Sequence, residues 1–123
     1  MIHALYVGLG GFLGAVLRWG MSSVVQRMAP GPFPYGTLLV NVVGCLAIGW
    51  FHGAAAARGA MPTELRAFVF VGLLGGFTTF STFAHESLDL GRELGSLTTL
   101  VNIGLHVVLG LLAVWVGYNV ARV

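Results

Sequence analysis

Lysine is absent from this 123-residue chain, and charge of either sign is scarce: six Lys/Arg and four acidic residues amount to 8% of the sequence. Soluble domains carry about a quarter charged residues, so this composition excludes an ordinary water-facing globule. Six scattered arginines also argue against nucleic acid as a partner. The lone cysteine, Cys45, excludes an internal disulfide and a cysteine metal cluster. It sits in an apolar run and reads as a small packing residue. No carboxylate pair, metal-ligand cluster or activated nucleophile is visible, so an enzyme is not expected. The opening MIHALYVGLGG has no basic stretch ahead of its apolar residues, so a cleaved signal peptide is not expected. Its GLGGFLG run lacks the spacing and the βαβ surroundings of a dinucleotide loop.

What fills the chain is apolar: 57% of residues are hydrophobic, and the mean hydropathy is +0.91. A helix needs about 20 mostly apolar residues to cross the hydrocarbon. Four segments reach that length: Ile2 to Met28, Tyr35 to Ala57, a third from near Thr63 toward Arg92, and Leu94 to Ala121. The separators are APGPFP (Ala29–Pro34), ARGAMPTE (Ala57–Glu64) and GRELGS (Gly91–Ser96). Prolines in the first two can stop one helix and start the next. The expectation is an all-α membrane protein: one transmembrane domain of four helices over residues 1–123, with lipid as its surroundings.

Positive charge near helix ends normally fixes which side stays cytoplasmic. Arg58, Arg66 and Arg122 fall on the side of both termini, Arg27 and Arg92 on the other, and Arg18 inside the first helix. Three against two is almost no bias. The counts alone leave open a weakly determined single orientation or insertion both ways.

Polar groups at membrane depth are functional candidates unless neighbouring helices satisfy them. Asn41 stands in a second segment otherwise almost wholly apolar, one turn after Thr37 and one turn before Cys45. Thr98, Asn102, His106 and Gly110 recur every fourth residue and share one stripe of the last segment. Thr37 and Thr98 read as interhelical hydrogen bonders, worth about 1 kcal/mol or less. Asn41 leans toward function. His106 has the chemistry of a proton carrier, but a single histidine without a nearby carboxylate is weak support. The pairs Gly10/Gly14, Gly49/Gly53 and Gly72/Gly76 are GxxxG spacings that let helix backbones approach closely in lipid.

The stretch GGFTTFSTF (Gly75–Phe83) is the most unusual. Adjacent glycines and adjacent threonines both weaken a helix, so a break is expected in the third segment. A break frees backbone carbonyls at mid-membrane, tolerated only where they are buried in protein or line a cavity. Carbonyls are hard ligands, and transporters use such broken helices for Na⁺. Phe80 and Phe83 are spaced i, i+3 and share a face if helix resumes. Their positive ring edges, with the hydroxyls of Ser81 and Thr82 and the amide of Asn41, would make an uncharged, donor-rich route for an anion. A fixed charge would hold an anion too long to conduct it. Taken alone, packing is the ordinary role of such phenylalanines.

Three stretches, GGFLGAVLRW (Gly10–Trp19), GTLLVNVVGC (Gly36–Cys45) and above all GLLGGFTTFSTF (Gly72–Phe83), together with size and layout, make the chain resemble the Fluc (CrcB) family of fluoride channels over its whole length. The resemblance implies a passive, fluoride-selective channel in the bacterial inner membrane that lets fluoride out of the cytoplasm and lowers its toxicity. It implies an antiparallel, dual-topology homodimer with two pores, each built from both copies. A central Na⁺ would be held by backbone carbonyls that fall here on Gly75 and Thr78. The pore phenylalanines fall on Phe80 and Phe83, the pore asparagine on Asn41, the hydroxyl track on Ser81 and Thr82, and a vestibule arginine on Arg18. The chain departs from many relatives in the last helix, where a tyrosine and a serine one turn apart are replaced by Asn102 and His106. Two other readings remain. A small dual-topology multidrug or cation exporter would need an acid in the first helix, and there is none; the acids lie at or beyond the ends of the third. A non-transporting assembly subunit would explain the glycines but not GGFTTFSTF.

Overall fold

The computed structural model describes residues Met1–Val123, and every regular element in it is helical. Four stretches are long and apolar enough to span a bilayer: Ile2–Met28, Tyr35–Arg58, Thr63–Leu94 and Ser96–Val120. The chain is a multi-pass membrane protein. The first three begin where the sequence places them. The last begins at Ser96 rather than Leu94, because helix persists through Leu94 and the chain turns on one residue. That residue is Gly95, with φ 93° and ψ 166°, a conformation essentially reserved for glycine. Thus GRELGS is mostly helix, and only its glycine separates the two spans.

The glycine pairs determine how the helices meet. Gly10 and Gly14 of the first helix face Gly72 and Gly76 of the third span, backbone against backbone. A Cβ on Gly72 would stand 2.7 Å from the Val7 carbonyl oxygen and 2.9 Å from the Gly10 Cα. No side chain fits there, and the two helices sit as close as their backbones allow. Gly49 and Gly53 of the second helix lie on the backbone of Val114 and Tyr118 in the last, and Gly117 answers them against Leu46 and Trp50. The fold is therefore two glycine-packed pairs: first helix with third span, second helix with last.

The third span is not uniform. A turn of α-helix at Thr63–Arg66 passes into a π-helix at Ala67–Leu74, then α-helix at Gly75–Phe77. Thr78 (φ −86°, ψ 158°) and Thr79 (φ −150°, ψ 117°) are extended, and helix resumes at Phe80–Leu94. Nothing in the composition of AFVFVGLL signals the wider π turns, which are uncommon and concentrate at functional sites.

Only 21 of 123 residues are buried, although most of the chain is apolar. Val40 and Asn102 are the largest side chains wholly enclosed. Phe12, Trp19, Phe80, Trp115 and many leucines and valines point outward. A surface of that kind needs a non-aqueous neighbour, either lipid or another protein surface.

Candidate functional site

The extended pair Thr78–Thr79 organises the centre of the molecule. Asn41 on the second helix reads the backbone of Thr79 from both sides. The Thr79 N–H donates to Asn41 Oδ1 at 2.8 Å, and Asn41 Nδ2 donates to the Thr79 carbonyl at 3.0 Å. One amide side chain thereby replaces two helical hydrogen bonds, which is how extended backbone survives without water. An amide nitrogen carries two hydrogens, so one N–H of Asn41 is left over on the groove it lines. Thr79 also caps the helix that follows. Its hydroxyl accepts from the Thr82 N–H at 3.2 Å and donates to Thr82 Oγ1 at 3.0 Å. Sequence reasoning missed Thr79, although a threonine three residues ahead of the capped amide is an ordinary helix-start signal.

The carbonyls of Gly75 and Thr78 are among those that lose their helical donors here. In a continuous helix the Thr79 N–H would bond the Gly75 carbonyl, but it goes to Asn41. The Thr82 N–H would bond the Thr78 carbonyl, but it goes to the Thr79 hydroxyl. Arg18 reaches the Thr78 carbonyl instead, from Nη1 at 3.3 Å. The Leu74 carbonyl, by contrast, accepts from both the Thr78 N–H and its hydroxyl, at 3.0 and 2.9 Å. No group of three or more His, Cys, Asp or Glu side chains could hold a metal. Freed oxygens at Gly75 and Thr78 are a donor set that fits a hard, weakly charged cation and no soft metal.

A groove of about 440 Å3 opens between the second, third and last helices. Asn41, Gly75, Thr78, Phe80, Phe83 and His106 all line it. Residues picked from three separate stretches of sequence thus meet on one surface. The Phe80 and Phe83 rings are 5.6 Å apart and tilted 57°. Phe80 is 79% exposed, so its ring is presented outward rather than packed inside this chain. Phe83 stacks on His106 at 4.3 Å.

The remaining candidates divide. Ser81 and Thr82 are exposed and do not line the groove; they sit one face away, beside the Thr79 hydroxyl. Arg18 stands on the other side of the extended pair. Asn102 is wholly buried, and its Nδ2 donates to Ser87 Oγ at 2.9 Å. Ser87 in turn donates to the Phe83 carbonyl at 2.7 Å. His106 is bonded to the Asn102 backbone. Thr99, not Thr98, makes the interhelical bond in this region, to the Ser87 carbonyl at 2.8 Å.

Glu86 was expected near the end of the third span, outside the apolar region. The structure folds it inward: Thr37 donates to Glu86 Oε1 at 2.8 Å, while Oε2 is buried without a partner. A helix that continues eight residues past Glu86 to Leu94 brings that carboxylate against the second helix. The sequence shows an acid and a threonine 49 positions apart and gives no sign that they meet.

The sequence also matches known proteins over nearly its whole length. The family model described as "CrcB-like protein, Camphor Resistance (CrcB)" matches residues 5–118. A protein of Nitratidesulfovibrio vulgaris named "Fluoride-specific ion channel FluC" is 43% identical over 122 residues, covering 99% of this chain and 98% of the relative. Proteins of the same name from Flavobacterium psychrophilum and Campylobacter lari are 40% and 43% identical, covering 95% and 96% of this chain and 94% and 96% of the relatives.

Proposed function

The chain belongs to the CrcB family, and on that premise we propose how its centre carries fluoride. The protein is a fluoride-specific ion channel and not an enzyme. Fluoride passes down its own gradient, and an inside-negative membrane drives it out of the cell. The observation that carries the site assignment is the meeting of Asn41, Phe80 and Phe83 on one groove beside the extended backbone.

Fluoride is small and strongly hydrated, so a route through hydrocarbon has to offer donors in place of water. The ring edges of Phe80 and Phe83 are weak positive ends, and the spare Asn41 N–H is a neutral donor. None carries a full charge, which keeps the ion from being trapped. The hydroxyls of Ser81 and Thr82, one face away from the groove beside the Thr79 hydroxyl, would extend the donor series only beyond it. Arg18 draws anions toward the centre without standing in the groove. His106 forms its far wall, and the enclosed Asn102 lies behind it, its backbone carbonyl bonded to the ring.

One chain cannot enclose this route, because the groove is open and Phe80 faces outward. Two antiparallel copies would close it and cover part of the exposed apolar surface. On the twofold axis the Gly75 and Thr78 carbonyls of each copy would surround one Na⁺, a structural ion that supplies positive charge to hold the freed oxygens together. Arg18 already donates to the Thr78 oxygen, so that carbonyl would share its lone pairs between a guanidinium and the ion. The bacterial inner membrane is the compartment in which such a channel relieves fluoride accumulation. An exchanger of cationic compounds would need a carboxylate on the route; Glu86 is the acid nearest the extended pair in sequence, but it is held by Thr37 and lies off the groove.

The test is fluoride release from proteoliposomes, followed with a fluoride electrode, with chloride as the control ion. Release of fluoride and retention of chloride are expected. Equal release of both, or of neither from correctly assembled protein, would overturn the reading. Exchange of Na⁺ for a large organic cation during purification should lower both the melting temperature and the flux. If neither changed, the ion would drop out of the scheme.

A further inference from the structure

Three residues of the last helix grip one turn of the third span. Thr99, Asn102 and His106 are spaced i, i+3, i+7 and share one stripe. Thr99 donates to the Ser87 carbonyl at 2.8 Å, and Asn102 Nδ2 donates to Ser87 Oγ at 2.9 Å. Ser87 Oγ passes the contact on, donating to the Phe83 carbonyl at 2.7 Å. His106 lays its ring on the Phe83 ring, with centroids 4.3 Å apart and planes inclined by 40°. Phe83 is therefore held at its backbone and at its ring. Phe80, one turn earlier, has no aromatic neighbour in this chain besides Phe83 and points outward. Neither Asn102 nor His106 offers the groove a polar side-chain atom. Asn102 is wholly enclosed. His106 lines the groove, but its Nδ1 is bonded to the Asn102 carbonyl at 3.0 Å and its Nε2 is buried. What the histidine brings is the body of a ring against Phe83. That matters because a phenyl ring has a positive rim and a negative face. Turned edge-on it attracts an anion, and turned face-on it repels one. A neighbour stacked on one face restrains that rotation.

We propose that His106 and Asn102 are positioning residues for Phe83, fixing the angle of its ring so that the rim rather than the face meets fluoride. The proposal rests on the channel reading above. His106 supplies the stack. Asn102 holds the histidine through its backbone carbonyl and holds the Phe83 turn through Ser87. Neither residue touches the ion, and each acts through the phenylalanine. The role needs a ring and an enclosed amide, and no change of charge.

The experiment is fluoride release from proteoliposomes at a protein density that leaves at most one assembly per vesicle. The fraction of vesicles that empty counts working channels, and the rate of emptying measures each one. A folding defect lowers the fraction, whereas a displaced ring lowers the rate. His106→Ala and Asn102→Leu should each slow release by about tenfold, with the fraction little changed. His106→Phe puts back a ring without either nitrogen and should regain most of the rate that His106→Ala loses. The deciding comparison is made in a Phe83→Met background, which has no ring to position. There His106→Ala should slow release no further, because changes that act through one shared group do not add. Losses that multiply in the double variant would overturn the proposal, as would a His106→Phe protein as slow as His106→Ala. Ser87→Ala carries the Asn102 arm if Asn102→Leu fails to assemble: slower release is expected, and a native rate would remove Asn102 from the scheme. A Phe83→Met protein as fast as the native one would overturn the proposal and leave the channel reading standing. Assembled native protein that releases no fluoride would remove the channel reading itself, and the proposal with it.

Discussion

At the residue scale, Phe80 and Phe83 separate packing from function. Replacing a packed phenylalanine by isoleucine or methionine costs little, since apolar swaps of similar size are usually mild. If ring edges stand in for fluoride's water shell, the same change removes the positive edge and keeps the bulk. Phe80→Ile and Phe83→Met should each lower fluoride flux by roughly tenfold or more, about 1.4 kcal/mol of barrier, while gel filtration shows the assembly unchanged. Native flux from both variants would return the rings to packing. Asn41→Asp tests a different property. The carboxylate would face the Thr79 carbonyl where Nδ2 now donates, leaving that oxygen without its partner at about 1–3 kcal/mol. Both stability and flux should fall, whereas Asn41→Ala should lower stability with less effect on anion repulsion. The amide was legible in the sequence as the polar exception in its helix. Its attachment to Thr79 was not, because pairing between residues 38 positions apart leaves no local pattern. The same holds for Glu86 with Thr37, and for Thr99 with Ser87.

At the scale of elements, hydropathy gave helix positions to within about two residues, because lipid demands long uninterrupted apolar runs. The glycine spacings marked faces of close packing, but not which helix meets which. Their physical content is testable by contrast. Gly76 sits against the first helix, where a Cβ would stand 2.6 Å from the Gly11 carbonyl oxygen. Gly76→Val must push two backbones apart, and overpacking of this kind costs about 1–3 kcal/mol. Gly8 and Gly104 have nothing within 4 Å of an added Cβ. Gly104→Ala should therefore leave the melting temperature in detergent unchanged or raise it, since alanine favours helix over glycine by up to about 1 kcal/mol. A Gly76→Val protein that melts with the native one would show that the close contact is not what holds the first helix to the third span. The π-helical stretch Ala67–Leu74 escaped the sequence because its residues are ordinary helix and strand formers. It depends on which carbonyl each N–H selects, and that follows from packing against the first helix rather than from propensity.

At the scale of the whole molecule, one feature unites the charge count and the exposed surface. Arginine is divided three to two between the two sides, with Arg18 half-buried inside the first helix, bonded to the Thr78 carbonyl and outside the count. The surface left by one chain is largely apolar, and its groove is unclosed on the face that carries Phe80. A chain inserted one way only would need parallel copies to close that groove, and the carbonyls of Gly75 and Thr78 would then sit at related depths but face the same direction. Insertion in both orientations lets two copies meet about an axis in the membrane plane, with both extended pairs at the centre. Because orientation is set by so few charges, a small addition should tip it. Three arginines appended after Val123 would move the balance from three against two to six against two, and such terminal additions can fix the topology of a whole chain. Labelling of single introduced cysteines from each side, in a Cys45→Ser background, should report both orientations for the native protein and one for the extended protein. Flux should then fall in the extended protein and return when it is co-expressed with a copy biased the opposite way by arginines in the Ala29–Pro34 turn. Full flux from a population labelled in a single orientation would mean that antiparallel pairing is not how the groove is closed.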